Sequence, residues 1–154
     1  MPTFGAANSK PHVLFTLVDD WGWELWPRSG SDKLGSDAST RELLPNVAQL
    51  LVDDGLTLAR HYAFMYCAPS RQSLLSGRWP VHGNEANSNC RGVPLGIATL
   101  ADQMSAGGYR SHFVGKWHCG VATAASTPAR RGFDTSLGFY GKAIDHYSYC
   151  SADA

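Results

Sequence analysis

An apolar run, His12-Val13-Leu14-Phe15-Thr16-Leu17-Val18, stops at two consecutive carboxylates, Asp19-Asp20. A short continuous run rich in β-branched and aromatic residues predicts a strand buried on both faces, as in a parallel sheet. From Trp21-Gly22-Trp23 to about Ser39 the chain turns polar, and Arg28, Ser29, Gly30, Ser31 and Asp32 read as turn formers in a surface loop. Pro45, then Val47, Leu50 and Leu51, with Gly55 as a stop, predict a helix. Leu56 to Phe64 reads as a second extended segment. Pro69 to Ser76 predicts a short helix closed by Gly77.

Residues 79–96 have few periodic apolar positions and read as a long loop. Ile97, Leu100 and Met104 recur at helical spacing and end at Gly107-Gly108. Tyr109 to Val114 predicts a third strand, running into Gly115-Lys116-Trp117-His118. The remainder, through Arg130-Arg131-Gly132-Phe133-Asp134, reads as loop. Strand, helix, strand, helix, helix, strand is the order of an α/β layered domain with a mostly parallel sheet flanked by helices. In such sheets functional groups gather beyond the carboxyl ends of the strands. Three polar clusters fall at those ends: Asp19-Asp20, Cys67 to Arg71, and Lys116 to His118.

The 154 residues suffice for one domain with a core. Lys+Arg and Asp+Glu balance at 13 each, so no basic excess points to nucleic acid. No apolar run approaches the roughly 20 residues of a membrane span. Residues 1–10 read as a disordered extension without the apolar centre of a signal peptide. The four cysteines form no CxxC pair, which argues against a zinc site. Cys90, Cys119 and Cys150 leave room for one disulfide that spacing does not assign.

Each cluster has a functional and a plain reading. Adjacent carboxylates repel unless a cation lies between them, and hard oxygens suit Ca²⁺ or Mg²⁺; the plain reading of Asp19-Asp20, favoured when the pair stands alone, is an acidic loop start. Cys67 lies at a helix start, where free N–H groups and the dipole favour an anion, with Arg71 four residues on; it is equally a structural cysteine beside a surface arginine. Lys116 and His118 point to one side if the segment is extended; the plain reading is an exposed lysine beside a packed histidine. The tryptophans around these clusters are best read as packing.

Taken together, these segments resemble the type I sulfatases of the alkaline phosphatase superfamily. Pro11 to Phe15 with Asp19-Asp20-Trp21-Gly22-Trp23 is similar to their opening strand and metal motif. Cys67-Ala68-Pro69-Ser70-Arg71, ending at Gly77-Arg78, resembles their signature. Gly115-Lys116-Trp117-His118 resembles their Gly-Lys-Trp-His motif. Arg131 to Asp134, Gly138 to Gly141 and Asp145-His146-Tyr147 resemble the segment that follows in arylsulfatase B-like members. The resemblance covers about residues 11–150, so residues 11–154 are expected to be the N-terminal part of a sulfatase catalytic domain with the alkaline phosphatase-like layered sandwich.

The resemblance implies sulfate ester hydrolysis. Cys67 would be oxidised to formylglycine by a formylglycine-generating enzyme that reads Cys67, Pro69 and Arg71. One hydroxyl of the hydrated aldehyde would attack sulfur, and the other would then expel sulfate. Asp19, Asp20 and residue 67 would ligate Ca²⁺, or Mg²⁺. Arg71 would orient residue 67, Lys116 would bridge the hydrate and the sulfate, and His118 would hydrogen-bond the diol and help release sulfate. The substrate is expected to be a sulfated small molecule or sulfated sugar. By family analogy the protein would be lysosomal or extracellular if an N-terminal signal is missing.

Some features depart from the family pattern. Its remaining metal ligands, second histidine and second lysine lie downstream and have no counterpart before Ala154, so a truncated, inactive fragment with an exposed sheet edge is the expectation. Leu44 stands where Thr is frequent, Cys119 stands where Leu is usual, and no Asn-x-Ser/Thr sequon occurs. A phosphonate or phosphate ester hydrolase of the same superfamily, and a non-catalytic remnant or binding module, are the alternatives.

Overall fold

The computed structural model describes residues 10–27, 38–82 and 92–150, with side chains from residue 40 in the second stretch. The extension 1–10, most of the loop read before Ser39, part of the 79–96 loop and Cys90 therefore lie largely or wholly outside the described residues. The chain divides into two units, Met1–Leu56 and Thr57–Ala154.

In the first unit the apolar run 12–18 forms no strand, contrary to the sequence expectation. Leu14 is 93% exposed, and Val13, Phe15 and Val18 are exposed as well. The physical reason is that composition marks a segment able to pair, but a strand exists only where its N–H and C=O groups meet a neighbour. No strand occurs among the described residues of this unit. Two short helices, α1 (Ala38–Leu43) and α2 (Pro45–Val47), meet at Leu44. Pro45 lacks an N–H and starts the second helix. Beyond it the helix widens into a π turn, Ala48–Asp53, where Asp54 N–H donates to Gln49 O at 2.9 Å. Arg41 clamps this unit, reaching Asp53 Oδ2 at 2.6 Å and Pro27 O at 3.4 Å.

Leu56 to Phe64, which opens the second unit from Thr57 on, is irregular and not a strand. Helix α3 (Cys67–Ser76) follows, with extended Tyr66 as N-cap. Pro69 falls in the first turn, where a missing N–H costs nothing. Gly77 closes the helix in the left-handed region (φ 66°), its N–H on Ser73 O at 2.8 Å. Helix α4 (Leu100–Ala106) starts later than Ile97 because Thr99 and Asp102 form a reciprocal capping box.

Strand β1 (His112–Lys116) pairs in parallel with β2 (Thr135–Phe139), with Val114 opposite Leu137. The third predicted strand thus begins three residues later and runs further than expected, and β2 lies in the segment read as loop. Asp134 locks the start of the pair: its N–H donates to Ser111 O at 2.8 Å and its Oδ2 accepts from Ser111 N–H at 2.7 Å. Leu75 of α3, Val93, Trp117 and Cys119 form the core, with Ile97, Phe113 and Phe133 packed against it. None of the described helices is long and apolar enough to cross a membrane.

Candidate active site

Cys67 is the first residue of α3, which begins two residues before the Pro69 start expected from sequence, and it is half-buried. The start of this helix is held from behind. Ser70 Oγ lies 3.0 Å from Phe64 O and 2.8 Å from Tyr66 O, tying the approach to Cys67 onto the first turn. Ala68, Pro69 and Gln72 are buried.

One turn on, Arg71 does more than add charge beside Cys67. Its Nη1 donates to the main-chain carbonyl of Lys116 at 2.8 Å. A guanidinium forks several donors in one plane and so can tie a helix to a strand end while keeping its charge. The second and third polar clusters, 45 positions apart in sequence, are thereby joined by one bond.

The segment after β1 is fixed from two sides. Backbone bonds to the end of β2 and the residue after it continue past Lys116: Trp117 N–H donates to Phe139 O at 2.9 Å and His118 N–H to Tyr140 O at 3.0 Å. The Trp117 indole N–H is shared between Gly120 O at 2.9 Å and Ser126 O at 3.0 Å. Its ring meets Phe113 and Phe133 edge-on, at centroid distances of 5.4 and 6.1 Å. His118 is 5% exposed and adopts a left-handed conformation, φ 50°. Such a conformation costs a non-glycine residue roughly 1–3 kcal/mol and persists only where its surroundings impose it. The simple strand alternation that would put Lys116 and His118 on one side therefore ends before His118. Lys116 closes β1 half-buried, and His118 is turned by its own backbone.

Cys119 is buried within the core. Burial pushes its thiol up to about 12, against the opposing charges of Arg71 and Arg131. Cys67, Cys119 and Cys150 are free thiols, so no disulfide joins Cys119 to Cys150. Arg131, not a candidate from sequence, is 5% exposed and donates to three carbonyls, Pro94 O (3.3 Å), Leu95 O (3.2 Å) and Ile97 O (2.7 Å). A buried arginine is unusual enough to signal a structural anchor, but nothing in its spacing named its partners.

In the first unit Asp19 and Asp20 form an exposed turn, with Asp20 at φ 52°, a conformation Asp tolerates better than most residues. Their adjacent carboxylates are hard oxygen donors suited to Ca²⁺ or Mg²⁺. Among the described residues no cluster of three or more His, Cys, Asp or Glu side chains occurs. The pair therefore fits a hard cation chemically but supplies only a fraction of the six to eight oxygens that calcium takes.

The family model described as Sulfatase matches residues 11–153. Mouse arylsulfatase J is 31% identical over 97% of this chain and 24% of its own length. Bovine arylsulfatase A is 36% identical over 86% of this chain and 26% of its own. The chain thus spans about a quarter of the length of these relatives. Among solved structures, Ps i-CgsB in complex with k-i-k-neocarrahexaose aligns with a TM-score of 0.48 and 30% identity, over 52% of this chain and 19% of that one. With the matched segment containing the cysteine helix, the lysine-histidine strand end and the acidic turn alike, the chain belongs to the sulfatase family.

Proposed function

We propose that the protein carrying this chain hydrolyses sulfate esters, with residue 67 acting as formylglycine made from Cys67. The observation that carries this reading is the bond from Arg71 to the Lys116 carbonyl. It ties the helix that starts with residue 67 to the strand end bearing Lys116 and His118.

A hydrated aldehyde places two hydroxyls on one carbon, so one can take the sulfuryl group while the other expels it, a route closed to a thiol. The residues of this chain would serve that chemistry in separate ways. Arg71, fixed by its carbonyl bond, places a permanent cation one turn from residue 67. Lys116, at the end of β1, adds an ammonium that would pair with the negative charge of a sulfate. His118 is buried and conformationally fixed, which suits holding or passing a proton at one atom. Cationic donors fixed before the reaction need little reorganisation as charge develops on sulfate oxygens. Asp19 and Asp20 would hold Ca²⁺ or Mg²⁺, which would offset charge on the bound sulfate. The partners in this reading are a sulfated small molecule or sugar and a formylglycine-generating enzyme, with a lysosomal or extracellular location.

The test is turnover by the protein carrying this chain, co-produced with a formylglycine-generating enzyme. It should release sulfate from an aryl sulfate, and Cys67→Ala should abolish that release. Faster turnover of an aryl phosphonate would assign the site to phosphonate esters. Unchanged sulfate release by Cys67→Ala would refute the role of residue 67.

A further inference from the structure

Arg131 holds residues 94–97 through three main-chain carbonyls, and its own carbonyl accepts the Thr99 hydroxyl at 2.9 Å. The loop it grips includes Gly92, whose backbone lies directly on residues 119–120. A Cβ built on Gly92 would strike the Cys119 carbonyl, and one built on Gly120 would sit 2.8 Å from Gly92 Cα. The next residue, Val93, belongs to the core with Trp117 and Cys119. Behind Arg131, Gly132 (φ 89°) fits closely against Ala101 and Asp102 at the start of α4, which leaves the arginine little room to shift. A continuous set of contacts therefore runs from Arg131 through residues 92–97 to the backbone immediately after His118.

We propose that Arg131 is a positioning residue for His118: its fork presses the 92–97 loop onto Cys119 and Gly120 and so holds the left-handed backbone of His118. The role rests on the reading of His118 as a site residue. Arg131 itself touches neither His118 nor substrate in this account. The chemistry explains why the residue is an arginine. Three carbonyl acceptors spread over four positions match the planar, multidonor guanidinium, whereas a lysine ammonium, a single compact donor centre, cannot span them in that geometry. Arg131 also lies close enough to Cys119 for its charge to act on that thiol, consistent with the same contact path.

The experiment compares histidine-ring NMR spectra of the 154-residue chain and its variants, with His118 assigned through His118→Gln. Arg131→Lys should displace the His118 ring resonances by more than a linewidth and weaken amide protection at Ile97, whose N–H bonds Pro94 O. The rings of His61 and His146 should not move. Asp134→Asn, which loosens the far end of the same strand pair, should lower stability and leave His118 in place. Lost protection at Ile97 with an unmoved His118 would reduce Arg131 to a purely structural anchor and overturn the proposal. If Arg131→Lys does not fold, the wild-type chain decides. Slow exchange of the Arg131 guanidinium protons is expected, and rapid exchange would overturn the fork. None of these readouts needs an aldehyde or turnover, so absence of formylglycine would sink the proposed function without touching this inference.

Discussion

Replacing Trp117 by Phe probes the support beneath the lysine-histidine segment. The substitution keeps an aromatic ring against Phe113 and Phe133 but deletes the indole N–H that bonds Gly120 O and Ser126 O. Trp117 is 1% exposed, so water cannot replace the donor. Losing a buried donor costs about 1–3 kcal/mol. The smaller ring leaves a void, adding about 1 kcal/mol at roughly 24 cal/mol per Å³ of residual cavity. A total of about 2–4 kcal/mol follows. The assay is urea unfolding of the chain followed by far-ultraviolet circular dichroism. With a slope of about 2 kcal/mol per molar, the midpoint should fall by about 1–2 M without a change of slope. A fall below about 0.3 M would mean that the indole bonds do not support the segment, and the account of how His118 is held would fail with them.

Two further predictions concern ionisable groups. The Ser111 amide holds the Asp134 carboxyl below its ordinary value; desolvation, the next largest effect, opposes it, and the Arg110 and His112 charges add to the lowering. A depressed folded-state value means stability that is present above the ordinary carboxylate range and lost as pH falls through the folded value. Acid unfolding curves of Asp134→Asn should therefore be flatter below about pH 4 than those of wild type, and parallel curves would contradict the Ser111 tie. Cys119, raised to about 12, stays a protonated, buried thiol at neutral pH. A thiol reagent at pH 8 should label exposed Cys150 in the folded chain and reach Cys119 only after denaturation; comparable native labelling would contradict its burial.

Much of the candidate site was legible in the sequence because its parts are local. The cysteine helix announces itself through Pro69 and the Gly77 stop, and the acidic turn through the end of an apolar run. What the sequence could not show was pairing. The run 12–18 has strand composition but no strand, because pairing depends on a neighbour and not on composition. Residues 135–139 form β2 despite glycine and polar residues, because β1 and the Asp134–Ser111 lock supply the partner. Spacing placed Lys116 and His118 on one side, but His118 takes a left-handed backbone in a segment whose neighbours Trp117, Cys119 and Gly120 are tied to Phe139, Ser126 and Gly92, which no local pattern encodes. Arg131 was invisible as an anchor for the same reason: its partners are carbonyls, which every residue possesses.

The central claim is that Cys67 serves as a precursor. Its most direct test is mass spectrometry of the tryptic peptide His61–Arg71 from chain co-produced with a formylglycine-generating enzyme. The account predicts a species lighter by about 18 Da than the cysteine peptide, reactive toward an aldehyde probe and no longer alkylated by iodoacetamide. A peptide recovered wholly at the cysteine mass, fully alkylated, would contradict it.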